Sequence, residues 1–293
     1  MIPLPFLFLF FWAQTFPGPL EGRKIFLEKG CIRCHSIWGV GGKGGPDLAR
    51  IQGRTLTDVA ALMWNHSVQM VEKMEKKHIP FPEFTEEEMR ALLRYLAFIR
   101  YFDQPGDFER GEKLFQEKQC IQCHSISGKG GDIGPALDKY SSEMSPIFLA
   151  SAMWNHGLRM SEKMKEKGIP RPQLEGTDVA DLLNFIRGSS LTAEPGRMYL
   201  TPGDPERGKQ IFRQKRCIFC HSIHGEGGKV GPDLGAIRLK FGVSQIIGRM
   251  WNHADKMWAK MQELNIPQPE LSPEEMADLF AFLYEVGFFE SPG

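Results

Sequence analysis

The stretch CIRCH, from Cys31 to His35, recurs twice further along the chain with only its third letter changed. The other copies are CIQCH, from Cys120 to His124, and CIFCH, from Cys217 to His221. The three copies begin 89 and 97 residues apart, which is the length of a small domain rather than of a solenoid repeat. Each is followed by a second shared stretch: MWNHSVQMVEKM from Met63, MWNHGLRMSEKM from Met153 and MWNHADKMWAKM from Met250. The chain is therefore built from three copies of one unit.

Composition excludes some classes of protein. The chain has 293 residues, of which 42% are hydrophobic and 25% charged, as in ordinary globular domains. Its formal net charge is zero. A nucleic-acid backbone attracts proteins with a surplus of basic residues, so this balance argues against a nucleic-acid partner.

All six cysteines belong to the three C-x-x-C-H motifs. A closed zinc site needs four ligands, whereas each motif offers two thiols and one adjacent histidine. A redox dithiol has no need of that histidine. Covalent attachment of c-type haem explains every letter of the motif, because two thiols form thioethers to the porphyrin and the next residue reaches the iron. We therefore predict three covalently bound haems c, attached at Cys31, Cys34, Cys120, Cys123, Cys217 and Cys220.

The first 16 residues, MIPLPFLFLFFWAQTF, are apolar from Ile2 to Ala13, and no charged side chain precedes Glu21. The apolar run is shorter than the roughly 20 residues of a membrane span and suits the core of a secretory signal. It lacks a basic start and a small-residue cleavage site, so a retained N-terminal anchor is the alternative. We expect a protein of the periplasm or another extracytoplasmic space, with possible membrane association through residues 1–16.

Each unit has the same order of predicted parts. A short helix leads to the haem motif, and a glycine-rich loop follows. In that helix a glycine and a phenylalanine four residues later share one face, which would let another helix approach closely. Then come the M-W-N-H helix, an I-P-x-P turn and a last amphipathic helix, whose start carries a capping box at Thr85/Glu88 and at Ser272/Glu275. No segment shows the alternation of apolar and polar residues that is typical of a β-strand, so we predict an all-α fold. The predicted domains are residues 20–104, 106–190 and 204–293, with a linker at 191–203.

This order of parts resembles class I cytochrome c, three times over. The resemblance implies a small helical bundle around each haem, with the motif histidine as the lower iron ligand: His35, His124 and His221. It also implies that the proline of the G-P-x-L loop offers its carbonyl to that imidazole, at Pro46, Pro135 and Pro232. The family's upper ligand is a methionine five residues after an asparagine, which corresponds to Met70, Met160 and Met257.

Two alternatives remain for the upper ligand. Here the I-P-x-P proline follows isoleucine, whereas family methionines usually precede proline, so the methionines one turn later also qualify: Met74, Met164 and Met261. Histidines on the same helical face compete as well: His66, His156 and His253. The choice matters because a thioether ligand raises a haem's reduction potential relative to two histidines. We expect Trp64, Trp154 and Trp251 to wall the haem pockets.

The resulting interpretation is an exported triheme electron carrier that passes single electrons between redox protein partners. One alternative is the cytochrome subunit of a larger respiratory oxidoreductase. A haem enzyme such as a peroxidase would need an open iron position, and no copy lacks the M-W-N-H helix. The second unit has Ala136 where the others have Asp47 and Asp233. Because a carboxylate favours ferric iron, we hypothesise that the middle haem is the most easily reduced.

Overall fold

The computed structural model describes residues 19–37, 39–50, 56–99, 106–140, 144–189, 203–236 and 242–288. The predicted signal or anchor at residues 1–16 lies outside the described residues, as does the predicted linker up to residue 202. The described parts are mainly helical, and the all-α prediction is confirmed.

The described part of domain 1 contains four α-helices and one very short hairpin. The helices are α1 (Pro19–Glu28), α2 (Leu56–Asn65), α3 (Ser67–Lys76) and α4 (Glu86–Ile99). The hairpin pairs β1 (Ser36–Ile37) with β2 (Val40–Gly41). It lies directly after the C-x-x-C-H motif.

Domains 2 and 3 repeat this order with one helix fewer. Domain 2 contains α5 (Phe108–Glu117), β3 (Ser125–Ile126), β4 (Lys129–Gly130), α6 (Pro146–Lys167) and α7 (Asp178–Gly188). Domain 3 contains α8 (Pro205–Gln214), β5 (Ser222–Ile223), β6 (Glu226–Gly227), α9 (Val243–Glu263) and α10 (Pro273–Phe288). The M-W-N-H helix is continuous in both, as α6 and α9. In domain 1 it is interrupted at His66, between α2 and α3.

The first and last helices of each domain cross in close contact. A Cβ atom on Gly22 would lie 1.9 Å from the carbonyl oxygen of Ala91, and the counterpart at Gly111 would lie 2.0 Å from that of Asp181. Only glycine allows this approach. Beside the crossing, the rings of Phe26 and Tyr95 pack with their centroids 5.7 Å apart. The predicted glycine and phenylalanine face is therefore confirmed.

The two predicted capping boxes are formed. At the start of α4, the Thr85 amide donates to Glu88 Oε2 at 2.9 Å, and the Glu88 amide donates to Thr85 Oγ1 at 3.1 Å. Ser272 and Glu275 exchange the same two bonds at the start of α10. Each pair satisfies two amides that the first helical turn leaves without partners.

The domains also contact one another. Helices α6 and α9 pack together, burying Trp154, Trp251 and Trp258 in a core that domains 2 and 3 share. Domain 1 meets domain 3 through α4 and α10, where the rings of Phe98 and Tyr284 pack edge to face at 5.5 Å. The three units thus form two kinds of contact, although they share one sequence pattern.

Candidate haem-binding sites

The C-x-x-C-H motif folds as a tight 3₁₀ turn in each domain, at Cys31–Arg33, Cys120–Gln122 and Cys217–Phe219. The residue before each turn adopts a left-handed conformation, with φ of 79° at Gly30, 60° at Gln119 and 64° at Arg216. The His35 amide donates to the Cys31 carbonyl at 2.9 Å, which closes the turn. Two thiols and an imidazole are thereby held on one short turn.

Each motif histidine has the same backbone partner. Nδ1 lies 3.0 Å from the proline carbonyl oxygen of the glycine-rich loop in all three domains, pairing His35 with Pro46, His124 with Pro135 and His221 with Pro232. The glycine before the proline lies against the ring: a Cβ on Gly45 would be 2.5 Å from Cε1 of His35. With Nδ1 bonded to a carbonyl, Nε2 is the nitrogen left for a metal, and such a bond fixes the orientation of the ring.

Burial shifts the pKa of several side chains at these sites. It lowers the pKa of His35, an effect that the Pro46 carbonyl opposes and that nearby His66 and Lys73 reinforce. The neutral imidazole that results is the form that binds metal. Burial raises the pKa of the Cys120 and Cys217 thiols to about 11.

The residues of domain 1 line a cavity of about 650 Å³. This volume falls in the range of roughly 300–1,000 Å³ that is typical of sites for cofactors and small ligands. The cavity joins the motif side chains to the M-W-N-H helix, and its lining includes Cys31, Cys34, His35, Met63, His66, Met70 and Met74. Two thiols, an imidazole below and soft thioethers above are a donor set that fits a covalently attached haem.

All three upper-ligand candidates of domain 1 line this cavity, but their counterparts are placed differently. The methionines of domains 2 and 3 are half-buried and pack against the shared core: Met160, Met164, Met257 and Met261. His156 and His253 are exposed, and their Nδ1 atoms lie 3.1 and 2.8 Å from the carbonyls of Ala152 and Arg249 in their own helices. The methionines therefore face inward where the histidines do not.

The tryptophans differ from the expectation that all three wall their pockets. Trp64 lines the domain 1 cavity, yet 81% of it is exposed. Trp154 and Trp251 are buried between domains 2 and 3, where each indole donates to a carbonyl of the other domain. Identical local sequence thus has different surroundings, because domains 2 and 3 pair with each other through this stretch.

Sequence reasoning missed a lysine that closes each site. Lys29 donates to the Glu83 carbonyl at 2.7 Å, Lys118 to that of Gln173 at 2.7 Å and Lys215 to that of Glu270 at 2.7 Å. These bonds tie the end of each first helix to the turn after I-P-x-P. The sequence contains a pattern that could have indicated these lysines, because each stands two residues before the first cysteine of its motif.

Two kinds of feature, a metal-binding cluster and a membrane-spanning helix, are absent from the described residues. No group of three or more His, Cys, Asp or Glu side chains there is arranged to hold a metal ion. Within the same residues, no helix combines the length and apolar character that crossing a membrane requires.

Comparison with known proteins gives a consistent result. The model of the family described as cytochrome c matches residues 20–99, 108–190 and 205–286. A cytochrome c-553-like protein of Synechocystis sp. is 40% identical over 81 residues, which are 28% of this chain and 68% of the relative.

Two nitric oxide reductase C subunits are also similar to this chain. That of Stutzerimonas stutzeri is 34% identical over 83 residues, which are 26% of this chain and 54% of the relative. That of Cereibacter sphaeroides is 30% identical over 83 residues, which are 26% of this chain and 55% of the relative. The chain thus spans about half the length of these reductase proteins, at 54% and 55%.

Proposed function

Because the chain belongs to the cytochrome c family, we propose that it is an exported triheme electron carrier that passes single electrons between redox protein partners. The observation that carries the proposal is the threefold recurrence of one geometry. In every domain two thiols share a turn with a histidine whose Nδ1 lies 3.0 Å from a proline carbonyl.

The chain's residues have distinct tasks in this proposal. The six cysteines would attach the haems, and His35, His124 and His221 would each offer a ring nitrogen to the iron. Met70, Met160 and Met257 would each offer a thioether sulfur, and their shared five-residue offset from the asparagine supports this choice. Haem iron supplies the one-electron change between iron(II) and iron(III) when bound, and thioether ligation favours a higher potential than two histidines.

Contacts between the domains support passage of electrons within the chain. Met63 and Trp64 line the cavity of domain 1. Their counterparts from domains 2 and 3 all border one small gap between α6 and α9: Met153, Trp154, Met250 and Trp251. The M-W-N-H stretches of domains 2 and 3 therefore meet at this interface, which favours exchange between the haem sites of those two domains.

We also propose an extracytoplasmic location, on the basis of residues 1–16 and of haem attachment, with those residues as signal or membrane anchor. The donor and acceptor are redox proteins, and the zero net charge of the chain disfavours nucleic acid.

A second candidate is a cytochrome subunit of a larger oxidoreductase. It is favoured by the similarity to two nitric oxide reductase C subunits. Purification from native membranes and soluble extract separates the two candidates. A free carrier is recovered alone, whereas a component of a complex is recovered in stable proportion to a catalytic chain.

The haem count tests the core of the proposal. We expect the intact mass to exceed that of the mature polypeptide by three haem groups, and the haem absorbance to stay with the protein after acid-acetone extraction. A Cys120→Ala/Cys123→Ala variant should lose one haem and keep two. Zinc in place of haem, or fewer than three haems in the unaltered protein, contradicts the proposal.

A further inference from the structure

Domains 2 and 3 meet through an exchange of identical contacts. The Trp154 indole donates to the Pro269 carbonyl at 2.7 Å, and the Trp251 indole donates to the Pro172 carbonyl at 2.9 Å. Both tryptophans belong to the M-W-N-H stretch, and both prolines end the I-P-x-P turn. Each domain therefore uses the same donor and the same acceptor.

The neighbouring asparagines extend this reciprocity. Asn155 bonds to both the amide and the carbonyl of Leu271, at 3.0 and 2.9 Å. Asn252 bonds to both backbone groups of Leu174, at 2.9 and 2.9 Å. The two leucines hold equivalent positions, two residues after the proline. This is the geometry of an isologous interface, in which one surface pairs with a copy of itself about a twofold axis.

Domain 1 carries the equivalent residues on a helix that is interrupted at His66, and the parts of the chain that the structure describes leave them uncovered. We define the domain 1 face as Trp64, Asn65, Val68, Phe81 and Phe84. The exposed fractions of its large apolar side chains are 81% for Trp64, 68% for Val68 and 53% for Phe81. These three side chains also line the domain 1 cavity, and contiguous exposed apolar side chains beside it mark an interaction site.

The centre of the interface also fits a second copy. In the contact between α6 and α9, Ala254 is buried and a Cβ on Gly157 would lie 2.5 Å from the Trp258 ring. The close contact therefore needs small residues. Domain 1 has the small residue Ser67 at this position, directly after the break at His66, so no large side chain obstructs an approach there.

One pair of positions indicates which partner the domain 1 face fits. Across the internal interface, the Arg171 guanidinium of domain 2 lies 3.0 Å from Asp255 of domain 3. The residues of domain 1 at these two positions are Phe81 and Val68, both apolar. A domain 1 face that meets another domain 1 face would place Phe81 against Val68 twice. The face is thus complementary to itself.

We propose that two copies of the chain dimerise through their domain 1 faces. Trp64 of each copy donates to the Pro82 carbonyl of the second copy, and Asn65 bonds to the backbone of Phe84 there. The faces of domains 2 and 3 are occupied by each other, so the matching surface left on a second chain is its own domain 1. This inference goes beyond electron transfer and does not depend on it.

Mass measurement with charge substitutions tests the dimer. We expect light scattering on the eluted holoprotein to give twice the mass of one chain. V68D places a carboxylate against Phe81 of the second copy, and F81R places a guanidinium against Val68, so each single variant should halve the mass. The double variant V68D/F81R recreates the Arg171–Asp255 pair twice and should restore the dimer.

The control is L264D, which introduces the same charge at an exposed leucine at the end of α9 and should leave the mass doubled. Haem absorbance per chain shows that each variant is folded and loaded. An unaltered protein of single-chain mass, including one that binds only a foreign protein through this face, overturns the proposal. So does a V68D variant that remains dimeric, or a double variant that stays monomeric while both single variants are loaded with haem.

Discussion

Each M-W-N-H helix offers two methionine sulfurs one turn apart. A step of four residues moves a side chain about 6 Å along a helix, so only one of the two can lie over a given iron. Met70 and Met74 both line the domain 1 cavity. The five-residue offset from Asn65, shared by all three domains, is the reason for choosing Met70 and its counterparts Met160 and Met257.

Removing each methionine in turn distinguishes the two. We expect M70A to abolish one domain's share of the ferric near-infrared band that arises from thioether-to-iron charge transfer, and to lower one reduction potential, because a thioether stabilises the reduced iron. M74A is the matched control and should keep the whole band. If the band weakens only in M74A, the upper ligand is Met74, one helical turn after Met70. A protein without the band points instead to His66, His156 and His253.

The aspartate that domain 2 lacks has a structural task in the other domains. Asp47 accepts hydrogen bonds from the amides of Gly39 at 2.7 Å and Ala49 at 3.0 Å. Asp233 accepts one from the Gly225 amide at 2.6 Å, among others. Burial opposes ionisation of Asp233, but these amides prevail and lower its pKa. Both carboxylates are thus fixed at the hairpin turn beside the lower ligand.

Introducing this charge in domain 2 tests its effect on potential. We expect A136D to lower one midpoint of a stepwise redox titration by roughly tens of millivolts, because a solvated carboxylate interacts only weakly with a distant charge. A136N offers the same hydrogen-bond acceptor without the charge and should leave the midpoint in place. Equal effects of the two variants would attribute the change to turn geometry, and the hypothesis of an easily reduced middle haem would lose its basis.

At the scale of elements, the crossing of α6 and α9 depends on amides as much as on apolar packing. Asn252 satisfies both backbone groups of Leu174. At the equivalent position, the Leu271 carbonyl receives a second hydrogen bond from Ser151 Oγ at 2.6 Å. The two asparagines therefore hold equivalent positions, but the carbonyl that Asn155 contacts has a second hydrogen-bond donor.

This difference predicts a graded response to mutation. N252L leaves an amide and a carbonyl unpaired in the interface, and each such group costs about 1–3 kcal/mol. N155L leaves only the Leu271 amide unpaired, since Ser151 still serves the carbonyl, and should cost less. We expect faster amide hydrogen exchange around Leu174 in N252L than around Leu271 in N155L. The exposed Gln262→Leu in α9 is the control, and equal exchange in all three variants contradicts this account.

The elements also show which features a sequence can predict. The boxes at Thr85 and Ser272 depend on residues near each other in sequence, and their patterns predicted them. The close approach of Gly22 to Ala91 joins distant residues, but the spacing of Gly22 and Phe26 on one helical face predicted it. The break at His66 was not predicted, because the M-W-N-H letters are the same in the two unbroken helices. The two-residue strands were missed as well, since two residues are too few to show alternation.

At the scale of the molecule, contacts between domains decide what the repeated residues do. The letters around Trp64 and Trp154 agree, yet one side chain is 81% exposed and the other 6%. The arrangement of the domains and the break at His66 separate them, and no local pattern encodes either. The contact of each motif histidine with its proline carbonyl could be predicted from the sequence because it lies within one domain.

The arrangement of domains 2 and 3 on one chain also separates them from domain 1 in their response to protein abundance. Tethering two faces gives them an effective concentration on the order of millimolar, however dilute the protein is. The domain 1 face has no tethered match among the described residues, so mass action governs its pairing. If both proposals hold, dilute chains carry three redox centres each and concentrated chains join six. The level of expression would then set the length of the proposed electron conduit.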